Sequence, residues 1–271
     1  MPEDGHLSAA ITPEEGVNPV DALLLAGGYA TRLYPLTLDR PKALLPVGGR
    51  TIVDRIIDLL MASDEIERFV FVTNDRFAPH FISWVGTRTW EKPVEVLNDG
   101  TTSNEGRLGA MGDIRFALDH AELDTARGLF VLSTDNLTHL NLTQLVGLSQ
   151  ERAATAVFAL RVGDLARLRR MGVVQLDEAG RVIDFVEKPK EPKSDLGVPS
   201  FYAYSARAVG LVKDYLDAGG NPDAPGHFIE WLAHRDPVYA CVTEEAICDV
   251  GTLEAYEAMC RQYGGDEHRP T

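Results

Sequence analysis

The 271 residues carry 26 Lys and Arg against 41 Asp and Glu, a formal net charge of −15, with 45% hydrophobic and 8% aromatic content. A chain of this kind can bury the core of one α/β domain or of two small ones, but it lacks the basic face that sequence-independent binding to nucleic acid or anionic lipid requires. Three cysteines, Cys241, Cys248 and Cys260, are odd in number and fit neither a disulfide framework nor zinc spacing.

The opening MPEDGHLSAAITPEEG is acidic and has no apolar h-region, and no run of about 18 apolar residues occurs in the chain. Residues 1–19 therefore read as a flexible N-terminal arm, and a cytoplasmic protein with no membrane partner is expected. The apolar run Ala22–Ala26 reads as a strand covered on both faces. Gly27–Gly28 follow, with no Cβ to keep a ligand from their backbone N–H groups. From Gly27 to Arg50, Arg32, Arg40, Lys42 and Arg50 face a single Asp39, a basic island in an acidic chain. Planar Arg forks, a Lys point charge and backbone amides together suit a polyphosphate. Pro35, Pro41 and Pro46 forbid a regular helix here, which excludes a G-x-G-x-x-G dinucleotide fingerprint, and G-x-x-x-x-G-K-[ST] is absent.

Next, TIVDRIIDLLMA has helical spacing with Thr51 as N-cap, RFVFVTND reads as a buried strand, and RFAPHFISWV as a helix. VEVLND predicts a strand, residues 105–120 a helix, and GLFVLSTD another strand. Strands separated by helices predict parallel βαβ units, with ligands beyond the strand carboxyl ends. The loop after Ala26, residues 98–112 and Asp135 fall at such ends. From Thr155 the strands TAVFALRV, GVVQLD, RVIDFVEK and SFYAYS lie close together, with DEAG as a hairpin turn. Helices over 206–216 and 228–234, the strand VYACVT and the helix LEAYEAMCRQY complete the chain. The expected fold class is α/β, a Rossmann-like mostly parallel mixed sheet flanked by helices, with a β-rich insertion.

Asp135 lies at a strand end and Asp249 just before the last helix. Either alone is more often a helix cap. Similarly, EKPKEPK at 187–193 is by itself most often a solvated charged turn. No G-x-S-x-G elbow or Cys/His pair supplies a covalent nucleophile.

Gly27, Gly28, Thr31, Arg32, Leu33, Pro35, Thr37, Pro41, Lys42, Leu44, Leu45, Pro46 and Val47 resemble the G-G-x-G-T-R-L-x-P-x-T…P-K-x-L-L-P-V signature of the sugar-1-phosphate nucleotidylyltransferases, the NDP-sugar pyrophosphorylases. Ala30 departs from its third glycine. Asp135, Gly172 in G-V-V, Glu187–Lys188–Pro189 and Asp249 in D-x-G-T resemble further motifs of the family in family order, so the likeness runs from Asp21 to about Tyr263, and the chain resembles short-chain, glucose-1-phosphate thymidylyltransferase-like members. It implies a nucleotide-diphospho-sugar transferase fold with a nucleotide half about 20–152, a sugar-phosphate half about 153–252 and a C-terminal helix 253–264. It also implies catalytic roles for Arg32, Lys42, Lys188 and Asp135, and nucleotide contacts from Ala26, Gly27, Gly28, Thr31, Asn98, Arg107 and Gly109. Gly172, Glu187 and Lys188 would bind the sugar phosphate, and Asp135 with Asp249 would hold Mg²⁺. The implied reaction converts an NTP and a sugar 1-phosphate to NDP-sugar and pyrophosphate. Thr134 replaces a customary glycine, Ile247–Cys248 an aromatic, Asn98 a glutamine and Arg107 a glycine. The base, pyrimidine or guanine, therefore stays open, as do a cyclitol, phosphocholine or phosphonate acceptor and homo-oligomerisation. A nucleotide-sugar sensor without turnover is the alternative from another class. Joint retention of Arg32, Lys42, Asp135 and Asp249 argues against it.

Overall fold

In the computed structural model, which describes residues 17–244 and 247–263, the apolar run Val20–Leu25 forms strand β1, and Ala22, Leu23 and Leu24 are fully buried. Strand β2 (Pro46–Val47) and β3 (Arg50–Thr51) make a small hairpin in the basic loop, and helix α1 follows at Ile52–Met61. As expected, Thr51 caps α1: its hydroxyl accepts from Asp54 N–H, and the Asp54 carboxylate accepts from Thr51 N–H, a reciprocal capping box. The chain continues as β4 (Ile66–Thr73), α2 (Ala78–Val85), β5 (Val94–Asn98), α3 (Ala110–His120), β6 (Leu129–Ser133), β7 (Asn136–Thr138) and α4 (Gln144–Arg152). Then come β8 (Thr155–Arg161), α5 (Leu165–Leu168), β9 (Gly172–Leu176), β10 (Val182–Glu187), β11 (Leu196–Val198) and β12 (Phe201–Tyr204). Helices α6 (Ala206–Asp217) and α7 (Pro225–Leu232), strands β13 (Val238–Thr243) and β14 (Ile247–Asp249), and helix α8 (Leu253–Tyr263) complete the described chain.

One sheet runs β10-β9-β11-β8-β12-β6-β1-β4-β5, with β13 alongside β8. Strands β5, β4, β1 and β6 are parallel. Because successive strands β1, β4 and β5 move outward one way while β6 starts on the other side of β1, the winding reverses between β1 and β6. A crevice at the carboxyl ends is the geometric result of such a reversal. Antiparallel β12 joins this half to β8, and β11, β9 and β10 extend the sheet further. Alternate residues of the central strands face opposite ways, so two cores form. Leu24, Phe71 and Phe130 pack under α1, α2 and α4, whereas Leu23, Val72 and Val131 pack under α3, α6 and α7.

Two expectations change. The helix expected over 105–120 begins only at Ala110, because Gly109 sits at φ 78° and breaks the helical path. The N-terminal arm expected over 1–19 lies outside the described residues up to position 16, while 17–19 are tied down: Asn18 exchanges hydrogen bonds with the Gln150 side chain, and the Pro19 carbonyl accepts from Arg127. The DEAG turn forms as read, with Gly180 at φ 77° and Asp177 accepting from Ala179 and Arg181 N–H. No helix among the described residues is long and apolar enough to cross a membrane.

Removing the Thr51 hydroxyl should test how strongly this cap holds α1 to the site-bearing loop. Thr51→Ala is expected to cost about 1 kcal/mol, measured as a lower urea midpoint with unchanged slope.

Candidate active site

The first residues of the basic loop are held from both sides of β1. Thr73, the last residue of β4, and Asn74 just after it donate to the carbonyls of Ala26 and Gly27 at 3.1 and 3.0 Å. Thr134, after β6, donates to the Leu25 carbonyl at 3.1 Å. Ala30, which departs from the family's glycine, nevertheless takes the left-handed conformation a glycine would supply, at φ 47°, and Thr37 bonds its carbonyl at 2.9 Å. Thr31 and Arg32 lie in the single 3₁₀ turn that follows.

Lys42 crosses from this loop to the end of β6, where its Nζ lies 2.7 Å from Asp135 Oδ2 and 3.7 Å from Asp249 Oδ1. The two aspartates, 114 positions apart in sequence by subtraction, meet because β14 pairs antiparallel with β7, Asp249 opposite Asn136. The Asp135 carbonyl also accepts from Val250 N–H at 3.0 Å. Desolvation alone would raise the Asp135 carboxyl, but the Lys42 ammonium outweighs it and holds the group below the usual carboxylate range. Asp249 moves the other way, raised by desolvation and then by the facing Asp135 charge. Among the described residues no group of three or more metal-ligating side chains forms. Two oxygen donors turned toward one cation and bordering an open cavity are nevertheless a fitting donor set for Mg²⁺, which keeps waters and phosphate oxygens in its remaining positions.

On the far wall, β10 stops at Glu187, and Lys188 turns to φ 49°, so neighbouring side chains that would diverge on a strand lie together, Nζ 3.4 Å from Glu187 Oε1. Space for Glu187 depends on two glycines. A Cβ at Gly226, in the first turn of α7, would stand 1.8 Å from Glu187 Oε2, and one at Gly172 would stand 3.1 Å from it and 2.4 Å from the Phe185 ring. Burial raises the Glu187 carboxyl despite the opposing charges of Lys188 and His227.

One cavity of about 830 Å³ brings Arg32, Asp135, Gly172, Glu187, Lys188 and Asp249 to a common lining. Lys42 reaches it through Asp135. The other expected residues lie elsewhere: Ala26, Gly27, Gly28 and Thr31 at the root of the loop, and Asn98, Arg107 and Gly109 on the segment between β5 and α3. Asn98 bonds Asp75 and Gly100 N–H. Arg107 is paired with Asp223 at 2.8 Å and bonds the Asn104 carbonyl, while Gly109 packs on the Pro222 carbonyl. Two features were not singled out from the sequence. Arg167, Arg169 and Arg170 also line the cavity, and the dense run RLRR was the available signal. Asp113, on α3, is 6% exposed and hydrogen-bonds Asp99. Burial first, then the facing Asp99 carboxylate, push Asp113 up to about 8.

The chain matches the family model described as Nucleotidyl transferase over residues 21–264. It is 27% identical over 251 residues to a glucose-1-phosphate adenylyltransferase of Fervidobacterium nodosum, covering 88% of this chain and 59% of that protein. It is 32% identical over 239 residues to the mannose-1-phosphate guanylyltransferase of Mycobacterium tuberculosis, covering 88% and 62%. The chain thus spans about three fifths of the length of these curated relatives. Solved structures share the fold: a UDP-glucose pyrophosphorylase with TM-score 0.76 at 19% identity, covering 92% of this chain and 99% of that one, and a putative glucose-1-phosphate thymidylyltransferase of Bacillus anthracis with TM-score 0.72 at 20% identity, covering 90% and 95%.

Asp113 sets a measurable pH dependence. Its carboxyl is pushed up to about 8 from the ordinary aspartate value near 3.8, so between these values the native state binds a proton that the unfolded state has released. The stabilisation from this group is full below the lower value and declines as pH rises toward 8. The difference in unfolding free energy between the wild type and Asp113→Asn should therefore fall between pH 4 and 8 and flatten above, as read from urea midpoints across that range. A pH-independent difference would show that Asp113 is ionised in the fold.

Proposed function

The chain belongs to the nucleotidyl transferase family, and we propose that it transfers a nucleotidyl group from an NTP to a sugar 1-phosphate, giving an NDP-sugar and pyrophosphate. The observation that carries this reading is the meeting of Arg32, Lys42, Asp135 and Asp249 with Glu187 and Lys188 around one cavity. Cationic and carboxylate groups for a polyphosphate stand on one wall, and an acid beside a base stands on the other. Printed names of the relatives support the sugar 1-phosphate class, while they differ in the nucleotide, adenylyl in one and guanylyl in another.

A phosphate oxygen of the acceptor attacks the α-phosphorus in line. The new O–P bond forms as the bond to the β-phosphate oxygen breaks, and pyrophosphate leaves with that electron pair. Positioning and charge neutralisation carry such a step, with no covalent enzyme intermediate. Arg32 holds the departing pyrophosphate, and Lys42 neutralises the transferring phosphate. Backbone groups of Ala26, Gly27, Gly28 and Thr31 hold the nucleotide, with Asn98, Arg107 and Gly109 on the loop beside it. Glu187 accepts hydrogen bonds from acceptor hydroxyls in the space kept by Gly172 and Gly226, and Lys188 orients the attacking phosphate. Asp135 and Asp249 would hold Mg²⁺, which when bound would supply further charge neutralisation for the transferring phosphate. Residues 20–152 form the nucleotide half and 153–252 the sugar-phosphate half in this reading, with helix 253–264 beyond them and a cytoplasmic location for the enzyme.

Pyrophosphate release, measured for ATP, GTP, CTP, UTP and dTTP with several sugar 1-phosphates and Mg²⁺, is expected for at least one pair. Release should stop in EDTA, and Asp135→Asn or Asp249→Asn should remove most of it while the melting temperature is kept. Full activity under chelation would overturn the metal assignment.

The acceptor residues should separate kinetically. Glu187→Gln is expected to raise KM for the sugar phosphate with little change for the nucleotide, because one acceptor oxygen becomes a donor. Lys188→Met should lower kcat for every acceptor. Steady-state kinetics with both substrates varied distinguish the two, and unchanged constants in both variants would place the acceptor elsewhere.

A further inference from the structure

Three arginines on one short segment line the cavity, and their side chains are used differently. Arg167, on α5, donates from Nη2 to the Ile247 carbonyl at 2.8 Å and so ties this segment to β14, the strand that ends at Asp249. Arg169 donates from Nε to the Lys190 carbonyl at 2.9 Å, which ties it to the turn after Lys188. Arg170 makes no side-chain hydrogen bond or ion pair among the described residues. Its backbone is nonetheless held. Arg170 N–H donates to the Arg167 carbonyl at 3.0 Å, Met171 N–H to the Leu168 carbonyl at 3.1 Å, and the Met171 carbonyl accepts from Lys188 N–H at 3.1 Å, while the Leu168 side chain is buried in the core. A free guanidinium therefore stands on a fixed stretch of chain.

Most other charges around the cavity are already compensated. Lys42 is shared by Asp135 and Asp249, and Lys188 Nζ lies 3.4 Å from Glu187 Oε1. A lysine paired with a carboxylate orients a phosphate but offsets little of its charge. Nucleotidyl transfer brings two phosphate groups that need a cation not already paired, the departing pyrophosphate and the phosphate of the acceptor. Arg32 and Arg170 are the two cavity arginines without a side-chain partner among the described residues, and they come from opposite walls. Arg32 belongs to the loop after β1. Arg170 stands two positions before Gly172, the residue paired in register with Glu187, and its charge also acts on the Asp249 carboxylate. It thus lies at the seam between the acceptor wall and the Asp135–Asp249 end, where an acceptor phosphate has to lie to reach an α-phosphorus.

We infer that Arg170 is a further acceptor-binding residue, whose guanidinium holds the phosphate of the acceptor beside Lys188. A planar fork can donate two parallel N–H bonds to two of the three terminal oxygens of a phosphate monoester, which leaves the third to attack. That oxygen forms the new bond to the α-phosphorus as pyrophosphate leaves with the electron pair of the broken bond. Arg167 and Arg169 serve as clasps that hold Arg170 between β14 and the turn after Lys188. The inference rests on the nucleotidyl-transfer reading of the same site and adds a residue that binds its acceptor.

Steady-state kinetics of the full chain test it, with both substrates varied in the presence of Mg²⁺. The substrates are the pair that releases pyrophosphate fastest among the five NTPs with glucose 1-phosphate or mannose 1-phosphate. Arg170→Ala is expected to raise KM for the sugar 1-phosphate by roughly tenfold to a hundredfold, the scale of hydrogen bonds to a charged group, with KM for the NTP changed by about twofold or less. Arg170→Lys keeps the charge without the fork and should recover part of that loss. The melting temperature should hold in both variants, because the side chain bonds nothing in the fold. An unchanged sugar-phosphate KM in Arg170→Ala, or a rise confined to the NTP, overturns the inference and leaves nucleotidyl transfer standing. A wild type that releases no pyrophosphate with any pair overturns the nucleotidyl-transfer reading and this inference together.

Discussion

A single ammonium group ties the molecule's distant parts together. Lys42 comes from the loop after β1, Asp135 from the end of β6, and Asp249 from β14, near the C-terminal end of the described chain. Two carboxylates brought this close repel each other, and the cation between them offsets that repulsion. The consequence is visible in their opposite behaviour, Asp135 held as the anion and Asp249 pushed toward its acid form. The cation and the two carboxylates thus border the cavity as one electrostatic unit.

The same electrostatic reasoning divides the cleft. A chain of net charge −15 repels anions from a distance. Arg32, Lys42, Arg170 and Lys188 reverse that locally on the cavity side, while Asp99 and Asp113 keep the β5–α3 side negative. This polarity follows from strand order: each group lies at the carboxyl end of a neighbouring strand or on the segment leaving it.

Absent side chains shape the site as much as present ones. Gly226 and Gly172 clear the volume that Glu187 occupies, and Gly27 clears the point on which Asp99 and Asp113 converge. Packed interiors do not yield by an ångström, so a methyl group at any of these positions competes directly with the neighbouring carboxyl. Ala30 shows the opposite economy: a residue with a Cβ holds a left-handed turn because the Thr37 hydroxyl and the surrounding loop fix it there.

Periodicity was enough to find β1, α1, β4, β5, β6 and the hairpin β9–β10, because each owes its form to local pattern and to turn or cap residues such as Thr51 and Gly180. The family signature of the loop after β1 was equally legible, since its residues lie in one short segment. Short strands β7, β11 and β14 carried no local signal: they are only three residues each and exist because a partner strand is present. Likewise, no spacing relates Asp249 to Lys42 or Asp113 to Gly27. Nor did the sequence indicate that Arg107 would be engaged by Asp223, or that helix α3 would start late where Gly109 packs on Pro222. The sequence by itself determined which residue types and local elements the protein has; only the tertiary structure decided which charges face each other, because those distances are set by sheet order and strand register rather than by separation along the chain.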